Sequence, residues 1–361
     1  MKAGIVGLPN VGKSTLFNAL TKSYAAQAAN FPFCTIDPNV GVVNVNDPRL
    51  TEIARVAKTG KIIPAITEFV DIAGIVKGAS QGEGLGNKFL ANIREADAIV
   101  QVVRVFVDND VHHVSGSVDP KRDIEIINAE LIIADIETMD RKSVENGKKA
   151  RGGDKNALAM QAVMDKIKPE LMAGKLARAV TLTPEEKVLA RELWLLTNKP
   201  FVYAVNVGES ELSTPVEKLR ELIGVTDPAT PVVAVCAKIE MDMIEFSDAD
   251  RKEFLDALGV KENPTDVLIR TAFDALGLQY YFTAGEIEAR AWAYPKGASA
   301  PQAAGKIHTD FEKKFIKAEV CNWKDFVDCG GWGGVRDAGK LRLEGKDYVM
   351  KDGDVVVFKI G

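Results

Sequence analysis

Cysteine is scarce in this chain. Its 361 residues hold four, Cys34, Cys236, Cys321 and Cys329, and none stands in a C-x-x-C pair. That spacing speaks against a zinc site or a disulfide framework and for a reducing compartment. Histidine is scarcer still: His112, His113 and His308 are the whole supply. No apolar run approaches the ~20 residues needed to cross a bilayer, so no membrane partner is expected. The opening MKAGIVGLPN lacks a charged n-region, an apolar h-region and a cleavage site, so no secretory leader is expected. A basic excess is missing too. The formal net charge is −5, which argues against wrapping by nucleic acid through bulk charge but leaves room for a local patch. No DNA partner is expected. There is no internal repeat and no low-complexity tract. What remains is an ordinary globular composition, 46% hydrophobic and 27% charged. The length favours two or three domains, and the expected home is the cytoplasm.

Residues 1–120 read as strands alternating with helices. Lys2–Val6 is a short apolar strand followed by a Gly-rich loop and a helix over residues 14–22. Residues 40–45 and 66–70 read as further strands. Residues 98–105 are apolar nearly throughout, as in a strand covered on both faces. From about 121 to 198 strand signals vanish. Ile124, Ile127, Leu131 and Ala134 mark one helix face. Gly147 and Gly152-Gly153 suggest the tip of a helical hairpin. Thr183-Pro184-Glu185-Glu186 is a helix-start signature. Strands return at 201–205 and 232–235. The last ~80 residues read as a separate mixed module. It has strand candidates at 289–293 and 348–349, a tight turn at Lys351-Asp352-Gly353-Asp354 and a last strand at 355–360. The fold class is α/β, with a mostly parallel sheet interrupted by a helical insertion.

The loop Gly7-Leu8-Pro9-Asn10-Val11-Gly12-Lys13-Ser14 fits G-x-x-x-x-G-K-[ST], between a strand and a helix. Its glycines let backbone N–H groups wrap phosphates, helped by the helix N-terminus. Lys13 would bridge the β- and γ-phosphates, and Ser14 would give Mg²⁺ a hydroxyl. Asp71-Ile72-Ala73-Gly74 is a D-x-x-G element. Asp71 would supply a carboxylate to the Mg²⁺ shell, and Gly74 an N–H to the γ-phosphate. Thr35, between these motifs, could add a second hydroxyl and sense the γ-phosphate. Gly74, Gly78, Gly82, Gly84 and Gly86 mark a switch segment rather than a floppy loop. This set predicts a nucleoside triphosphatase.

Guanine-reading enzymes of this type carry N-K-x-D after a late strand, and none is present here. Asn198-Lys199-Pro200-Phe201 has Phe in place of Asp, and Asn206-Val207-Gly208-Glu209 lacks the Lys. An Asn side chain can match the donor and acceptors of adenine, so Asn206 is either a base contact or a strand-end turn residue. Cys236-Ala237-Lys238 would sit on the other side of the base. The position after D-x-x-G, where Gln orients water in many such enzymes, holds Ile75. Two candidates could replace it. One is His113, with His112 behind it. The other is Asn10, through a bound monovalent cation.

GLPNVGKST (7–15), NFPFCT (30–35), DIAGIVKGASQGEGLGNKFL (71–90) and HVSG (113–116) closely resemble the Obg-like ATPases known as YchF. GKIHTDFEKKFIKAEV (305–320) and GKDYVMKDGDVVVF (345–358) resemble the TGS domain that ends those proteins. The resemblance spans essentially the whole chain. It implies a G domain of residues 1–120 and 199–277, a helical insertion of 121–198, and a TGS domain of β-grasp type over 278–361. It also implies hydrolysis of ATP in preference to GTP, and a role in translation or stress regulation through the ribosome. Carried over by position, Asn10, Val11, Gly12, Lys13, Ser14 and Thr15 hold phosphates, and Ser14 and Thr35 bind Mg²⁺. Asn206 and Val207 read adenine, and His113 is the proposed catalytic residue. A hydrophobic residue at the Ile75 position is also the family pattern. K⁺ stays a further cofactor candidate.

Residues 141–155 carry six basic side chains against two acidic ones, about +4, which could meet RNA phosphate or simply be a solvated hairpin. The TGS-like module is the other candidate ribosomal contact, and His308 reads as structural or as part of that surface. Two competing readings remain: a GTP-preferring enzyme of the same fold, and a nucleotide-gated adaptor with negligible turnover.

Overall fold

The structure, a computed structural model, describes residues 1–28, 39–72, 74, 85–108 and 116–361. The chain forms two compact units. One takes residues 1–41 and 68–268, the other residues 42–67 and 269–361.

The first sheet has the order β2-β4-β1-β5-β6-β7. Its strands are β1 (Lys2–Val6), β2 (Val40–Val45), β4 (Ala65–Asp71), β5 (Ala98–Arg104), β6 (Phe201–Asn206) and β7 (Val232–Val235). β1 lies parallel between β4 and β5, and β5, β6 and β7 continue in parallel. β5 and β6 are buried at every residue, which explains why they are apolar apart from Gln101, Arg104 and Asn206. Between β1 and β2 runs α1 (Lys13–Ala28), which begins at the last residues of the G-x-x-x-x-G-K-S loop. The loop therefore sits at the carboxyl end of a central strand, where open α/β sheets bind ligands.

The helical stretch consists of long helices. After α2 (Pro48–Ala57) and α3 (Leu85–Glu95), α4 spans Pro120–Arg151, α5 Lys155–Met172 and α6 Pro184–Glu192. α4 starts from Asp119, whose side chain accepts from Arg122 N–H. α6 carries a full capping box between Thr183 and Glu186. Two glycine signals behave differently. α4 runs straight through Gly147 and turns only at Gly152-Gly153, where Gly153 has φ 82°. A glycine inside a helix costs only ~1 kcal/mol, and packing against α5 offsets it. Asn146 Nδ2 donates across this hairpin to Ala157 O at 2.8 Å. Asp135 ties α4 back to residues 196–197, accepting from both backbone N–H groups and from the Thr197 hydroxyl at 2.6–2.8 Å.

The second unit holds a mixed sheet of order β11-β10-β12-β8-β9-β3. Its strands are β3 (Ile62–Ile63), β8 (Leu278–Ala284), β9 (Ala289–Pro295), β10 (Phe315–Asn322), β11 (Arg342–Glu344) and β12 (Asp354–Ile360). Tyr281, Tyr294, Phe315, Val320 and Phe358 form its core. α2 packs on β8, β9 and the helix Trp323–Asp328. Residues 348–349 are not a strand. Val349 makes an isolated bridge to Ser299, because the chain is already turning into the loop that Gly353 closes at φ 83°.

Candidate functional site

Residues 7–12 join β1 to α1. Two of them need an unusual backbone: Asn10 at φ 64° and Gly12 at φ 91°. Asparagine tolerates the left-handed region better than most residues. At Gly12 any Cβ would lie 2.3 Å from Asn206 Nδ2, so glycine is required by conformation and by space.

Lys13 is 8% exposed and forms an ion pair with Asp71 at the end of β4. Ser14 Oγ donates to the other oxygen of that carboxylate at 3.2 Å. With Asn10, Gly12, Thr15 and Gly74, these side chains line a cavity of ≈ 600 Å³. Gly74 lies against the loop, where a Cβ would sit 3.4 Å from Pro9 N and 3.5 Å from Gly7 O. The two motifs, 57 residues apart at Ser14 and Asp71, thus meet in one cleft. Among the described residues no three His, Cys, Asp or Glu gather as a self-sufficient metal site. The pair present, a hydroxyl beside a carboxylate, fits Mg²⁺, a hard cation that takes oxygen ligands and completes its shell from phosphate and water. Thr35, His112, His113 and Ile75 lie outside the described residues.

Asn206 ends β6 and is 3% exposed. Its amide is used inward: Nδ2 donates to Val11 O at 2.9 Å, and Oδ1 accepts from Ala237 N–H at 3.1 Å. The side chain joins the phosphate loop to the segment Cys236-Ala237-Lys238. Among the described residues, one Nδ2 hydrogen is left after the bond to Val11. Val207 is buried, and its N–H donates to Val235 O at 2.9 Å. The Glu211 carboxylate folds back onto Gly208 N–H at 3.2 Å. The Cys236 thiol is buried, and that burial pushes its pKa up, away from reactivity. His308 lies in the second unit, where its Nδ1 accepts from Asp310 N–H at 3.2 Å and caps a short helix. In the basic stretch Arg141, Lys148, Lys149, Arg151 and Lys155 are exposed, whereas Lys142 donates to Glu192 O at 2.6 Å.

Sequence reasoning missed Arg104. It ends β5, is 1% exposed, and pairs in register with Asn206. Its guanidinium donates to Phe106 O at 3.0 Å, Asp108 O at 3.3 Å and Asn10 O at 3.4 Å, and lies 4.7 Å from the Phe106 ring centroid. The available signal was a single charged residue closing a strand that is apolar but for Gln101, a position where burial of a charge needs a purpose.

A family model described as 50S ribosome-binding GTPase matches residues 2–144. A second, YchF-GTPase_C, described as a protein of unknown function, matches residues 278–361. The chain is 53% identical over 359 residues to the ribosome-binding ATPase YchF of Escherichia coli O157:H7, covering 99% of this chain and 98% of that one. It is 50% identical over 364 residues to the protein of the same name from Bacillus subtilis strain 168, covering 99% of each. To Obg-like ATPase 1 of Rattus norvegicus it is 45% identical over 370 residues, covering 99% of this chain and 92% of that one. The solved structure of the Schizosaccharomyces pombe YchF GTPase superposes with a TM-score of 0.88 at 39% identity, covering 99% and 97% of the two chains. A likeness of this depth, running from the first strand to the last, means that the chain belongs to the YchF family of nucleotide-hydrolysing P-loop enzymes.

Proposed function

We propose that this protein is a Mg²⁺-dependent ATPase, preferring ATP to GTP, whose nucleotide state controls its hold on the ribosome in the cytoplasm. The observation that carries the nucleotide chemistry is the convergence of Lys13, Ser14 and Asp71 on one cavity. Relatives named as ribosome-binding ATPases support the partner.

In this reading residues 10–15 hold the phosphates, with Lys13 on the β- and γ-oxygens. Ser14, Thr35 and Asp71 hold Mg²⁺, which when bound neutralises charge building on the phosphoryl oxygens. Gly74 N–H meets the γ-phosphate. The preference for ATP rests on the missing carboxylate of N-K-x-D. The free hydrogen of Asn206 suits purine N7, which adenine and guanine share, so it adds affinity without choosing between them. The acid at Glu211 is already bound to Gly208 N–H. We assign water activation to His113, because Ile75 has no polar group. Residues 121–198 act as the helical arm and 278–361 as the TGS-type module. The exposed basic tip and that module face the ribosome.

Side-by-side titration with labelled ATP and GTP, then hydrolysis with and without ribosomes, tests this. ATP should bind more tightly, and ribosomes should raise a slow intrinsic rate. Clear GTP preference would overturn the base assignment. Wild-type hydrolysis by His113→Ala, with strict K⁺ dependence, would move the catalytic role to a cation held through Asn10. The family model's description as a GTPase keeps GTP as the competing substrate.

A further inference from the structure

The phosphate loop is held from behind by two side chains on paired strands. Asn206 on β6 takes the carbonyl of Val11, and Arg104 on β5 takes the carbonyl of Asn10. In a trans peptide the C=O and the following N–H point in opposite directions. Turning the Asn10 carbonyl back toward β5 therefore aims the Val11 N–H away from the strands, to the side where Asn10 and Gly12 line the cavity. Were that peptide to flip, a carbonyl oxygen would face the phosphate and repel it. Residue 10 lies at φ 64°, a conformation that surrounding structure has to hold.

We propose that Arg104 is a positioning residue for phosphate binding, fixing the Asn10–Val11 peptide with its N–H toward the nucleotide. The guanidinium suits this task better than other side chains. Its planar fork serves Phe106 O, Asp108 O and Asn10 O together, so the loop position is tied to the segment leaving β5. The bond to Asn10 is long at 3.4 Å, but the group is 1% exposed, so water does not compete for it. Its fixed positive charge also lies beneath a site built for anions. The inference rests on phosphate binding by this loop and not on which base is read.

The test compares wild type, Arg104→Lys and Arg104→Met in affinity for nucleoside diphosphate and monophosphate. The base, adenine or guanine, is whichever the wild type binds more tightly, so an error in base preference does not affect the result. Melting temperature without nucleotide is recorded in parallel. Loss of one aimed N–H to a charged phosphate should weaken the diphosphate about tenfold in Arg104→Met. The monophosphate should change less than about threefold, so the ratio between them collapses. Arg104→Lys keeps the charge but cannot serve three carbonyls, and should fall between. If Arg104→Met fails to fold, Arg104→Lys decides alone. Equal weakening of both ligands, or an unchanged ratio in a folded variant, overturns the proposal.

Discussion

Arg104 and Asn206 stand opposite one another in the parallel register of β5 and β6, and each donates to a carbonyl of the phosphate loop, at Asn10 and Val11. The loop is therefore shaped from the sheet behind it as well as by its own glycines. Asn206 extends the connection by accepting from Ala237 N–H, so the loop and the segment after β7 share one amide.

In the proposed site Lys13 and Asp71 have different tasks. Lys13→Ala removes the only charged side chain of the G-x-x-x-x-G-K-S loop. Hydrolysis should fall at least about a hundredfold. Asp71→Asn keeps the shape but not the carboxylate. It should raise the Mg²⁺ concentration needed for half-maximal rate, while circular dichroism stays that of wild type. Steady-state hydrolysis across a Mg²⁺ series checks both, and an unshifted Mg²⁺ curve for Asp71→Asn would count against its place in the metal shell.

Gly12→Ala tests the space behind the loop. The new Cβ would fall 2.3 Å from Asn206 Nδ2 at a backbone of φ 91°. The clash pushes Asn206 off Val11 O. Stability should drop by about 1–3 kcal/mol, and nucleotide binding should fall with it. Thermal melting with and without nucleotide separates the two effects.

Glu240 makes stability depend on pH. It is 4% exposed on the short helix Ala237–Asp242, and its Oε1 has no hydrogen-bond partner among the described residues. Burial raises its pKa from 4.5 to about 7, and Thr265 and Arg251 only partly reverse this. Between those values the folded chain holds a proton that the unfolded chain has released, so stability falls as pH rises through the window. Relative to wild type, Glu240→Gln should gain about 3 kcal/mol between pH 4.5 and 8. Urea unfolding at the two pH values measures it, and parallel curves for the two proteins would refute it.

Arg49 anchors α2 inside the second unit. It bonds Asp47 Oδ2 at 2.8 Å and Asp352 Oδ2 at 2.8 Å, and lies 5.2 Å from the Tyr280 ring centroid. Burial opposes its charge, but Asp47 and Asp352 raise its pKa well above normal. Arg49→Ala should cost about 2 kcal/mol. Hydrogen exchange should show the loss in β8, β9 and β12 before β5 and β6.

Much of the chemistry was legible in order along the chain. Lys13, Ser14 and Asp71 announce themselves by motif, because phosphate binding demands a particular residue at a particular spacing from a strand and a helix. Asn206 was legible as the polar residue that closes a late strand. Its bonds to Val11 and Ala237 were not, because nothing in a strand-end asparagine tells which way its amide turns. Arg104 belongs to no motif, and its value comes only from what lies across the sheet. The assignment of 42–67 is similar. Those residues lie in sequence between Thr35 and the D-x-x-G element, yet α2 and β3 are built into the unit with the C-terminal strands.

By itself the sequence determined the alternation of strands and helices, the helical stretch after β5, the G-x-x-x-x-G-K-S loop and the absence of an N-K-x-D motif. These depend on local periodicity and on residue types at short spacing. Only the tertiary structure decided which carbonyls Arg104 and Asn206 hold, that Ser14 and Asp71 meet, and that α2 packs with the second sheet. Each of these is a contact between residues far apart in the chain, set by strand register and side-chain packing, and none is written in any local stretch.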